Sequence, residues 1–226
     1  MGDAVGQMLA SAVGIALSPL PLIAVVLMLA TPQGRANGGS FALGWITALA
    51  AVVTVAVLAG AGAGASGSGG PAVWTLWTKL VLGVLFLLMA VKQWKSRPRQ
   101  SRGAEETPRW MRAIDTFTPA RAAGLAAALA VANPKNLVLA AGGALSIAGS
   151  SAAAGGRATA AVLMVLIASL PALLPLGVHL LGGSASTRIL SEWKSWMGEH
   201  NAAIMVTLLV VLGAKYTGDA VSGLTG

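Results

Sequence analysis

Apolar residues fill six long runs of this chain, and polar positions fall between the runs or at sharp breaks inside them. The runs extend from Val5 to Ala30, Ser40 to about Gly62, Ala72 to Gln93, Ala122 to Ala148, Ala158 to Leu181 and Ala202 to about Val221. Each is near the ~20 residues that a helix needs to cross the hydrocarbon core of a bilayer, so the pattern predicts six transmembrane helices. Two runs are interrupted near their middles. Ser18-Pro19-Leu20-Pro21 breaks the first, because two prolines two apart cannot both sit in an undisturbed helix. Asn133-Pro134-Lys135-Asn136 breaks the fourth with a proline, a cation and two amides. Polar and ionisable groups at such depth are costly unless they face protein or water, so the quartet is a candidate functional site. The plainer alternative is a proline kink with Lys135 snorkelling or bonded to a neighbouring helix.

The polar stretches between the runs add detail. Thr31 to Gly39 reads as a short turn carrying Gly34-Arg35, and Gly62 to Pro71 as a small, uncharged linker. Trp74, Trp77 and Trp94 bracket the third run as interfacial anchors, with Lys79 able to snorkel outward. Thr107-Pro108 opens an expected surface helix carrying Trp110, Met111, Ile114 and Phe117. Thr118-Pro119 is the start signal of the fourth span. Pro171 and Pro175 share one face of the fifth. The segment Ser184 to Asn201 carries Ile189, Trp193, Trp196, Met197 and His200 on one stripe and Arg188, Glu192, Lys194, Ser195 and Glu199 opposite. That pattern predicts an amphipathic helix lying along the membrane surface.

Composition narrows the function. The 226 residues are 56% hydrophobic and 10% charged, with no cysteine, which excludes disulfides and thiolate chemistry. The net charge of +8 suits a nucleic-acid binder in principle. The basic residues instead cluster between spans, so the positive-inside rule accounts for them and no nucleic-acid partner is expected. Lys95, Arg97, Arg99, Arg102, Arg109 and Arg112 outnumber Glu105, Glu106 and Asp115 in the loop 95–119. Placing that loop in the cytoplasm predicts both termini outside a bacterial plasma membrane. Met1 to Gly6 carries one acid and no base, unlike a signal peptide, so the first run is expected to be retained.

The expected architecture is an all-α membrane protein of one integral domain, 1–226. Its halves are two inverted three-helix repeats, about 5–94 and 120–222, with helices 1 and 4 broken. Paired breaks in inverted halves point to a transport site. The candidate pathway residues are Ser18, Pro19, Pro21, Asn133, Pro134, Lys135 and Asn136, and the candidate hinges are Gly34, Arg35, Pro171 and Pro175. Every Asp and Glu lies at a span end or in a loop, which disfavours metal-ion transport; no metal or cofactor is expected. A lone cation beside broken helices suits an anionic headgroup or carboxylate. An enzyme is the least expected class, since His179 and His200 lie in no evident ligand cluster and no Ser/His/Asp constellation falls within the spans.

Ser18-Pro19-Leu20-Pro21, Gly34-Arg35-Ala36-Asn37-Gly38 and Asn133-Pro134-Lys135 together resemble the LysE superfamily of six-span exporters. The string Ala132-Asn133-Pro134-Lys135-Asn136-Leu137 and the Ala-Gly-rich run after it are most similar to its GAP branch of glycolipid and sulfolipid addressing proteins. One departure is Leu20, where the family has glycine between the prolines. The resemblance implies an exporter of an amphipathic, envelope-lipid substrate, with membrane lipids as partners and room for a homo-oligomer. The alternatives are an amino-acid or small-solute exporter, and an accessory membrane subunit for envelope-lipid export.

Overall fold

The computed structural model describes residues 2–64, 73–95 and 116–225, all helices and short turns. The expected linker 62–71 (beyond Gly64), the side chain of Trp74, most of the 95–119 loop and the expected surface helix from Thr107 lie outside the described residues. The helices are α1 (Gly2–Ala16), α2 (Pro19–Leu29), α3 (Gly34–Gly64), α4 (Val73–Lys95), α5 (Pro119–Val131), α6 (Pro134–Ala148), α7 (Ala154–Ala168), α8 (Leu170–Leu181) and α9 (Ser186–Thr225). Three of them, over Gly34–Ala61, Leu76–Lys95 and Gly183–Thr225, are long and apolar enough to cross a membrane. Three bent pairs pass the same test: α1–α2 at 50°, α5–α6 at 68° and α7–α8 at 60°. The chain is a membrane protein, all-helical among the described residues.

Each helix start after a break uses proline where its missing N–H costs nothing. Pro19, Pro119 and Pro134 open α2, α5 and α6; the Thr118 and Asn133 side chains cap theirs, while Ser18 holds the N-cap position of α2 without a side-chain cap bond. The Thr118 hydroxyl accepts from the Arg121 amide at 3.4 Å, as its start signal predicts.

The interior is built on close backbone approach. α3 packs along α5 and α6, α1 along α6 and α7, α2 along α8, α3 and α9, and α4 along α9. Gly44 lies against the backbone of Ala123, so any side chain there would collide with α5. Between α4 and α9, Gly83 faces Thr217, Gly213 faces Leu87 and Gly223 faces Leu76. Phe41, Trp45 and Phe86 are the largest fully buried side chains.

Three expectations need correction. The turn expected over Thr31 to Gly39 is shorter, because α3 begins at Gly34. Gly34 packs under the Leu29 carbonyl and Gly38 under the Leu29 side chain, and Asn37 Nδ2 donates to Phe117 O at 2.9 Å. This tertiary anchoring overrides the low helix propensity of Gly-Arg-Ala-Asn-Gly-Gly. The fifth span is bent at Ser169, so a third span is broken besides the two expected. Finally, Ser186 to Asn201 is no separate surface helix but the first half of the unbroken 40-residue α9. Leu190 and Met197 are buried and Trp193 half-buried, and α9 packs on α2 and α8 as well as on α4, so its apolar stripe meets protein; of that stripe only Trp196 and His200 remain exposed, stacked at 4.7 Å.

Candidate functional site

A helix that stops inside a bundle leaves carbonyls without their amide donors. At the end of α1 the Ser18 amide turns to Ile15 O (3.0 Å), and Gly14 O loses the donor four residues on. The Lys135 ammonium takes its place, donating to Gly14 O at 3.0 Å and to Ser18 Oγ at 2.7 Å. Ser18 Oγ in turn donates to Asn136 Oδ1 at 3.0 Å, and Asn136 Nδ2 donates to Leu129 O at 3.3 Å. Leu129 O is the matching orphan of α5, four residues before the break at Asn133. The α5–α6 break therefore supplies the donors for both freed carbonyls, Lys135 for Gly14 O and Asn136 for Leu129 O.

The clasp is buried and carries one charge. Ser18 and Lys135 are each 2% exposed and Asn136 fully buried. Lys135 does not snorkel. A third contact runs to Met205 Sδ on α9 at 3.8 Å, so among the described residues every partner of the ammonium is neutral. The charge is held by the negative end of the α1 dipole and a hydroxyl, without a carboxylate.

Free amides are scarcer than paired broken helices suggest. Pro19, Pro21 and Pro134 have no N–H, and the Lys135 amide donates to Asn133 Oδ1 at 3.1 Å. Donors to an anion would be side chains, above all Lys135.

The other candidate residues fall outside the clasp proper. Asn133 is half-buried and Pro134 exposed, while Pro19 and Pro21 are buried in the first turn of α2. Gly34 and Arg35 open α3, with Arg35 exposed. Pro171 and Pro175 are buried in α8, which packs on α2. At the α7–α8 break, Trp45 Nε1 donates to Ala168 O at 3.1 Å. The usual donor to Ala168 O, the Ala172 amide, has turned to Ser169 O (3.0 Å).

The chain matches the family described as Sap, sulfolipid-1-addressing protein, over residues 8–222. It belongs to the Sap family. No curated protein and no solved structure matches it. All three breaks, the Ser18–Lys135–Asn136 clasp and Met205 lie within the stretch shared with the Sap family.

Three participants escape the sequence reading: Gly14, Leu129 and Met205. The first two act through backbone oxygen, and each stands four residues before a break, a spacing that can be counted from the sequence. Met205 carries no such signal inside an apolar run.

Proposed function

We propose that this Sap-family chain is a secondary transporter that moves an amphipathic, anionic substrate, such as an envelope glycolipid or its precursor, across the cytoplasmic membrane. The observation that carries the reading is the Lys135 ammonium, buried where two broken spans meet and, among the described residues, partnered only by neutral groups. A buried cation without a carboxylate partner attracts an anion more strongly than one already paired. The packing suits six spans arranged as two inverted halves. α3 lies on α5 as α7 lies on α1, α3 on α6 as α8 on α2, and α4 and α9 lie on each other. Both termini are outside in this reading, since that keeps Lys92, Lys95 and Arg35 on the cytoplasmic side.

Vesicles reconstituted with the protein and loaded with an anionic glycolipid test it. Lys135→Met should insert normally and lose flux, and Lys135→Arg should retain part of it. Normal flux through Lys135→Met makes the lysine a structural residue and defeats the proposal. A cytoplasmic reporter active at Gly226 would defeat the orientation alone.

A further inference from the structure

The three contacts of the Lys135 ammonium differ in kind. Two are oxygens fixed by the α1–α2 break, while the third is a thioether from another helix. Sulfur is a weak acceptor and the methionine side chain is flexible, so Met205 is the contact most easily displaced. Met205 is half-buried, and α9 makes no extended contact with α5 or α6 among the described residues.

Residues 83 with 217, 87 with 213 and 76 with 223 show that α4 and α9 run antiparallel. Continued along the pair, this register sets Lys95, the last residue of α4, level with Met205. The 19 residues of α9 before Met205, about 28 Å of helix, therefore extend beyond α4. Among the described residues, α9 therefore continues past the clasp on the side where α4 stops. Lys92 and Lys95, both exposed, stand at that level. Leu17, Val131 and Leu137, next to the two breaks, are exposed apolar side chains.

We infer that an anionic lipid headgroup reaches Lys135 sideways from the bilayer, displacing Met205 at the level where α4 ends. Lys92 and Lys95 gather anionic headgroups there, the ammonium exchanges sulfur for an anionic oxygen, and the acyl chains stay against the apolar flank. The occupant is a lipid and not a soluble anion, because the side chains beside the breaks are apolar. This rests on the reading of the clasp as a site for an anionic lipid, and adds the route.

The chain's lack of cysteine makes the test direct. Met205→Cys is placed in bilayers and exposed to maleimides carried on the headgroup of an anionic phosphatidylglycerol-type lipid, on a zwitterionic phosphatidylcholine-type lipid, or on a water-soluble sulfonate. Val84→Cys, on the exposed face of α4, reports ordinary lipid contact. The expected result is labelling of the Met205→Cys thiol about tenfold faster by the anionic lipid than by the zwitterionic one, a ~1.4 kcal/mol preference. Adding Lys135→Met should erase the preference, while the Val84→Cys variant shows none throughout. Equal labelling by both lipids, or labelling by the water-soluble sulfonate alone, overturns the inference. Should Met205→Cys fail to fold, Leu208→Cys, one turn along α9, gives the same readout. Loss of flux in Lys135→Met without lipid-selective labelling would sink the lateral route and leave the transporter. Selective labelling with flux intact would do the reverse.

Discussion

Two breaks in this molecule meet the same need by different chemistry. At the α1–α2 break the freed Gly14 carbonyl is held by a charged, flexible lysine. At the α7–α8 break the freed Ala168 carbonyl is held by the indole N–H of Trp45, a rigid, neutral ring that is fully buried and stacked on Phe41 at 6.4 Å. A tryptophan N–H has one donor and no reason to release it. An ammonium has three donors and a charge that its neutral partners do not neutralise. The difference separates a joint that is fixed from one that can exchange partners, although both are proline-associated breaks in apolar runs.

The most forceful way to break this contrast is to neutralise the exchangeable joint in place. Asn136→Asp sets a carboxylate against Ser18 and within reach of Lys135, so the clasp should close on itself. Flux of an anionic substrate should fall by about tenfold or more, while thermal stability in detergent holds or rises. Unchanged flux would mean that the ammonium never meets an anion.

The fixed joint should respond in the opposite sense. Trp45→Phe keeps an aromatic ring and deletes the donor, leaving Ala168 O buried without a partner. It should cost about 1–3 kcal/mol in reversible unfolding with substrate preference unchanged. A variant as stable as the parent would show the bond to be dispensable.

A smaller effect is expected where α6 meets α9. Gly142 admits the Tyr216 hydroxyl, which bonds Ser11 Oγ at 3.1 Å. Gly142→Ala should destabilise by about 1–2 kcal/mol, and adding Tyr216→Phe should recover part of that loss. Additive losses in the double variant would mean that the two positions do not clash. The smallest change is Ser18→Ala, which leaves Lys135 on Gly14 O but removes the bridge to Asn136. Flux should drop a few-fold, equivalent to ~0.5–1.5 kcal/mol, without loss of insertion.

What the sequence reveals follows the physics of each position. Proline breaks in apolar runs are legible, so Ser18 and Lys135–Asn136 can be paired from the sequence alone. The third break is hidden because Pro171 sits at the second position of α8 and Pro175 within it, where proline is as compatible with a kinked helix as with a new one. The amphipathic pattern of 184–201 is real, but periodicity reports a buried face without saying whether lipid or protein covers it. Its buried Leu190 and Met197 show that protein covers it, and α9 runs through it without a break. The role of Trp45 is illegible for another reason: its acceptor is a backbone oxygen 123 positions away.

The unbroken α9 also has a mechanical meaning. It is about 60 Å long, packed along α4 over its second half and held by α2 and α8 as well. A stiff rod held by several neighbours transmits torque. A swing of α2 about the Ser18 break would therefore reach α4 through the rod, and the angle of α4 to the bilayer becomes an external gauge of whether the clasp is engaged.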